Sequence, residues 1–204
     1  MKQREESKKP NIVVIGGGTG VFTVLSGLRK YPVNLTAVVT MADDGGSTGL
    51  LREEFGMLPP GDIRRALVAL ARSDNRVLAD LFNYRFQEGS FKGHAFGNLM
   101  LVALERLCGS FGDAVSEASK ILAIEGRVFP VTLTNVRLSA TLEDGTVVRG
   151  EHNIDIPKHD ARLKIARVFL EPRAVINPEV KRAILDADMV VIGPGDLYTS
   201  VMPN

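Results

Sequence analysis

The sequence predicts an α/β protein built on a mostly parallel sheet, and three observations carry that prediction. Asn11–Ile15, Val33–Thr40 and Met189–Ile192 are continuously apolar, β-branched runs of strand length, as expected of strands buried on both faces. Each gives way to a turn rich in glycine. Between the first two runs, Val21, Leu25 and Leu28 recur at helical spacing, so residues 11–40 read as a strand–helix–strand unit whose parallel strands end at one edge.

The remaining elements follow in order. Ile63, Leu67 and Leu70, then Val77, Leu81 and Phe82, then Leu99, Val102 and Leu107 mark three helices, and residues 113–124 a fourth. Val128–Thr132 returns to strand. Residues 136–142 and 146–149 alternate around Asp144-Gly145 as a β-hairpin whose half-polar faces suit the edge of the main sheet. Arg167–Leu170 is a short strand and Pro178–Ala187 a helix with proline in its first turn. After Ile192 the chain stops within twelve residues, at Asn204, where an α/β fold would continue into a helix; a fragment lacking its C-terminal part is the expectation. Residues 1–10 read as a flexible tail and residues 11–204 as one nucleotide-binding domain.

Composition bounds the function. A 204-residue chain buries roughly 70% of its unfolded surface, enough for a core without disulfides. The net charge of +1, from 25 basic and 24 acidic residues, gives no whole-molecule field for nucleic acid or a membrane surface. The single cysteine, Cys108, has no partner thiol and reads as a small core residue in a reducing compartment. There is no apolar leader and no apolar run near the roughly 20 residues of a membrane span, so a cytoplasmic location is expected.

Three turns hold the candidate chemistry. Gly16, Gly17, Gly18, Thr19 and Gly20 sit where backbone N–H groups and a helix N-terminus attract phosphate, although Val21 replaces the third glycine of a dinucleotide fingerprint. Asp43, Asp44, Gly45, Gly46, Ser47 and Thr48 set two carboxylates, for a metal ion or ribose, beside backbone donors, with Arg52 one turn further on to reach a phosphate. Gly193, Pro194, Gly195, Asp196, Tyr198, Thr199 and Ser200 end a third strand at the same edge, closing a crevice of the kind that binds ligands in such sheets. Asn98 precedes a helix together with His94, which reads as structural for want of an acidic or cysteine partner. Pro59–Arg64 reads as a helix start with Asp62 in its first turn. His152 and His159 read as surface residues. No nucleophile and base stand at recognisable spacing, so binding is more legible than catalysis.

These motifs in this order, residues 16–20, 39–52, 59–64, 94–99 and 193–200, closely resemble those of the YvcK-like gluconeogenesis factors, within the superfamily of 2-phospho-L-lactate transferase (CofD). The resemblance runs from Asn11 to the end. It implies a CofD-like, three-layer α/β/α Rossmann-like fold and a site for a UDP-sugar such as UDP-N-acetylglucosamine. The role implied is a regulator of carbon metabolism, cell-wall precursor synthesis and cell shape. The transferase branch implies the alternative: phospholactyl transfer with Mg2+ on Asp43 and Asp44, the only catalytic candidates. The patterns at 59–64 and 193–200 place the chain on the regulator side. Expected partners are a UDP-sugar or related nucleotide and a second copy in a homodimer, with no nucleic acid and no membrane. Asp196 departs from the serine expected there, and the family chain continues well past the position of Asn204.

Overall fold

The computed structural model describes residues 9–156, 160 and 162–204. His159 and most of the N-terminal tail lie outside the described residues. The predicted opening unit is β1 (Asn11–Gly16), α1 (Gly18–Leu28) and β2 (Asn34–Val39), with β1 and β2 paired in parallel from Asn11↔Asn34 to Gly16↔Val39. Then come α2 (Gly46–Phe55), α3 (Pro60–Leu70), α4 (Arg76–Asn83), α5 (Phe96–Cys108) and α6 (Phe111–Ile121), before β3 (Arg127–Pro130) pairs in parallel with β2. β7 (Met189–Ile192) joins the other side of β1, also parallel, after α8 (Pro178–Leu185). The main sheet therefore runs β3-β2-β1-β7, flanked by helices in a Rossmann-like arrangement.

Burial follows position in that sheet. Every residue of β2 from Leu35 to Val39 is buried, so both of its faces are covered. The core continues from these strands into Val21 and Leu25 of α1, Ile63, Leu67 and Leu70 of α3, and Leu101 of α5. At the edge, Met189 and Ile192 of β7 remain 57% and 67% exposed.

The hairpin departs from expectation. β4 (Arg137–Leu142) and β5 (Val147–Arg149) do not lie on the edge of the main sheet but form a separate antiparallel sheet, β5-β4-β6, with β6 (Ile165–Glu171). The reason is a second apolar cluster, in which Leu138, Ala140 and Ile154 close over Ala42. The short helix α7 (Glu151–Asp155) carries Ile154 into that cluster. Cys108 also departs, half-buried at the end of α5 rather than in the core. Among the described residues, no helix is long and apolar enough to cross a membrane.

Candidate functional site

Because the sheet is parallel, the turns after β1, β2 and β7 leave from one edge. They do different jobs there. In the first, a Cβ at Gly17 would lie 2.5 Å from Asp62 Oδ2 and 2.7 Å from Thr40 Cγ2, and one at Gly20 would collide with the Pro194 carbonyl oxygen. These positions need glycine because neighbouring chain comes so close. Asp62, on the first turn of α3, accepts a hydrogen bond from Gly18 N–H at 2.8 Å. An acidic side chain thus already occupies a donor of α1's N-terminus, where sequence reasoning expected a phosphate. Thr19 is exposed.

In the second turn the two aspartates diverge. Asp43 Oδ1 accepts from Gly45 N–H at 3.0 Å, and its other oxygen lies 3.0 Å from where a Cβ at Gly61 would sit. Both oxygens of Asp44 are taken by α7, accepting from the backbone N–H groups of Glu151 at 3.1 Å and His152 at 2.8 Å. The N-terminus of α2 starts at Gly45 with no side-chain cap. Its first donors, at Gly46 and Ser47, open onto a cavity of about 280 Å3 walled by Asp43, Asp62, Arg64, Arg65, Arg85 and Asn98. Larger hollows at the opposite end of the sheet, about 610 and 580 Å3, have no helix N-terminus opening into them.

The charges in this cavity are unevenly matched. Burial, and then the charge of Asp43, pushes the Asp62 carboxyl above the usual range, against the pull of Gly18 N–H, Arg65 and Arg64. Arg65 reaches Asp62 at 3.7 Å. Arg64 is only 5% exposed, and burial, followed by repulsion from Arg65 and Arg85, lowers it to about 10, so it remains charged at neutral pH. Its Nε donates to Asn98 Oδ1 at 3.0 Å and its Nη1 to Asn83 Oδ1. Beside the cavity, burial and then Asp43, Asp44, Asp155 and Asp62 raise Glu151 to about 8.

The third turn packs on the first. A Cβ at Gly195 would approach the backbone oxygen of Gly17 to 3.8 Å, and Gly193 abuts Gly16. Asp196 accepts from Tyr198 N–H at 2.9 Å and Thr199 N–H at 3.1 Å, capping a π-helical turn at residues 197–201. An aspartate there is accounted for by capping. Thr199 is buried and Ser200 half-buried, and the turn lines no part of the arginine cavity.

Of the residues singled out from sequence, Asp43, Gly45, Gly46, Ser47, Thr48 and Asn98 meet at the cavity. Arg52 does not: its buried guanidinium bonds to the Asp43 carbonyl, Asn135 and the Val136 carbonyl, tying the second turn to β4 instead of facing a phosphate. His94 lies on the 84–95 hairpin with its Nδ1 buried and unbonded, and His152 is exposed as expected. Sequence reasoning placed Asp62 and Arg64 only in a helix start and a family motif, without a site role, and missed Arg65 and Arg85 altogether. The signal available was the adjacent pair Arg64-Arg65, separated from Pro59-Pro60-Gly61-Asp62 by Ile63 alone.

Fold and site together define a class, a parallel α/β protein whose second strand–glycine–helix turn opens into an arginine-walled cavity. A family model described as 2-phospho-L-lactate transferase CofD matches residues 12–204, and the chain belongs to that family. It is 48% identical over 199 residues to the gluconeogenesis factor of Bacillus subtilis, an alignment covering 97% of this chain and 61% of that protein. The Listeria innocua gluconeogenesis factor is 50% identical over 199 residues, with 96% of this chain and 60% of that protein covered. A crystal structure of a Bacillus halodurans protein superposes with a TM-score of 0.90 at 47% identity, covering 96% of this chain and 62% of that one. The chain thus spans about three-fifths of the length of these relatives.

Proposed function

We propose that this chain, whose relatives are named gluconeogenesis factors, is the nucleotide-sugar-binding part of a regulator of carbon metabolism and cell-wall precursor supply, with a UDP-N-acetylglucosamine-like ligand. One observation carries the reading: the uncapped N-terminus of α2 opens into a cavity with three arginines. Helix N–H groups and guanidinium forks are complementary to phosphate oxygens. Asp43 beside them offers an acceptor for a ribose hydroxyl. No side chain here is set as a nucleophile with its base, which favours binding over turnover.

A second reading, magnesium-dependent phospholactyl transfer, rests on the family description and on Asp43 and Asp62 walling one cavity. Two carboxylates suit a magnesium ion that keeps several waters and takes the remaining ligands from substrate phosphate. Asp43 and Asp62 would hold it, and it would supply charge neutralisation at the transferring group. Asp44 would contribute less, since α7 already occupies both its oxygens.

Calorimetric titration of the 204-residue chain with UDP-N-acetylglucosamine tests the first reading. Saturable micromolar binding with the ligand recovered unchanged is expected. Absence of binding, together with magnesium-dependent transfer of the phospholactyl group from a nucleoside-diphospho-lactate donor to the hydroxyl of a deazaflavin acceptor, with a nucleoside monophosphate leaving, would overturn it in favour of the second.

A further inference from the structure

A buried cation normally has a buried anion beside it, because an unpaired charge in the interior is costly. Arg64 breaks that rule. Among the described residues, no carboxylate lies within ion-pair distance of its guanidinium. Two neutral amides, Asn98 on α5 and Asn83 at the end of α4, hold its Nε and Nη1. Nη2 has no acceptor and is not sealed from solvent. The stem is clamped too: a Cβ at Gly97 would come within 2.9 Å of Arg64 Cδ and 2.7 Å of the Phe82 carbonyl oxygen. The side chain is held at Nε, Nη1 and Cδ, and the residue lines the same cavity as the α2 N-terminus.

We infer that Arg64, aimed by Asn83 and Asn98, is the specificity-determining residue for a diphosphate-class oxyanion bound against the N-terminus of α2. This deepens the nucleotide-sugar reading and rests on it for the identity of the whole ligand. The chemistry also fits free pyrophosphate. Asn83 and Asn98 are positioning residues that act through the arginine, using neutral oxygens that orient the fork without cancelling its charge. Arg85, on the neighbouring hairpin and bonded to its own Gly93 carbonyl, supplies a further positive charge from the other wall. A cavity of about 280 Å3 suits the anionic head and leaves the nucleoside outside it.

Calorimetry with sodium pyrophosphate, UDP and UDP-N-acetylglucosamine tests this on the 204-residue chain. Wild type should bind pyrophosphate saturably. Arg64→Lys should lose about tenfold, because a point charge cannot use the fork geometry. Arg64→Met should lose about a hundredfold, as expected for a charge-assisted contact in a partly desolvated site. Asn98→Asp guards against misfolding as an explanation: it gives Arg64 an internal counter-ion, so it should weaken pyrophosphate about tenfold while melting no lower than wild type. Unchanged pyrophosphate affinity in Arg64→Met, or in Asn98→Asp, would overturn the assignment, as would absence of pyrophosphate binding to wild type at millimolar concentration. UDP binding tighter than pyrophosphate assigns the oxyanion to a nucleotide; the reverse order assigns it to the free ion. Pyrophosphate binding through Arg64 with no UDP-N-acetylglucosamine binding would sink the nucleotide-sugar reading and leave this one standing. UDP-N-acetylglucosamine binding that Arg64→Met leaves untouched would do the opposite.

Discussion

The turns after β1 and β2 are alike on paper, each a strand end, a run of glycines and a helix, yet they occupy the sheet edge in opposite ways. In the first, the glycines are filled in: Asp62 takes the Gly18 donor, and the Pro194 carbonyl lies where a Gly20 side chain would be. In the second, Gly46 has open space where its side chain would go, and the α2 donors face a cavity. Glycine at position 20 thus serves close packing, whereas at position 46 it borders open space. The distinction is set by the chain that folds back onto each: Asp62 and Gly193–Gly195 on the first, arginines on the second.

The largest effect should come from testing that distinction with alanine. Gly20→Ala pushes a methyl into a backbone carbonyl that cannot swing away, and should cost about 3 kcal/mol. Gly46→Ala meets nothing within 4 Å and pays only for its left-handed backbone at φ +46°, about 1 kcal/mol. Equilibrium urea unfolding measures both. Equal losses would dissolve the contrast between a packed and an open turn.

A middle-sized effect belongs to Asp62, which faces both turns. Its carboxyl accepts from Gly18 N–H and confronts Asp43, which with burial raises it above the usual range, and in its ionised form it opposes any anion entering the cavity. Asp62→Asn keeps an acceptor for Gly18 and removes the charge. Pyrophosphate affinity measured in EDTA should rise about tenfold, the size of a weakly screened charge contact. In millimolar magnesium the gain should shrink, because the variant has lost one of two carboxylates able to hold the ion. A variant weaker than wild type in EDTA would mean that Asp62 organises the site more than it repels from it.

The sequence made the sheet legible where apolar runs were long and glycine-punctuated. β1, β2 and β7 stand where their composition put them, because a strand buried on both faces leaves an unbroken apolar signature. The hairpin's location was not legible: alternation in 136–149 says that one face is covered, not by what, and the cover came from Ala42, far upstream, and from Ile154 on the short helix just after the hairpin. In the site, the loop Asp43–Thr48 announced itself through a rare local composition. Arg64 did not, since the adjacent Arg64 and Arg65 on an amphipathic helix look the same from sequence whether they meet water or a buried wall. The meaning of Arg64 depends on Asn83 and Asn98, 19 and 34 residues away. Arg52 misled for the same reason, its reach being right and its partners, Asn135 and Val136, invisible locally.

The smallest effect separates the acidic rim of the second turn from its cationic interior. Glu151 stands at the start of α7, facing Asp43, Asp44, Asp155 and Asp62, and burial followed by those charges raises it from 4.5 to about 8. A carboxyl raised on folding holds its proton more tightly in the native state, so the native protein binds more protons than the unfolded chain between these values. Stability from this group is therefore intact below about pH 4.5 and is lost as pH climbs toward about 8. Glu151→Gln removes the penalty without removing volume. Thermal melts should show the variant about 3 °C more stable than wild type at pH 8.5 and indistinguishable from it at pH 4, given that 1 kcal/mol shifts a chain this size by about 2–4 °C. The same increment at both pH values would trace the gain to packing, and the rim would then carry no charge strain for the arginine cavity beside it to offset.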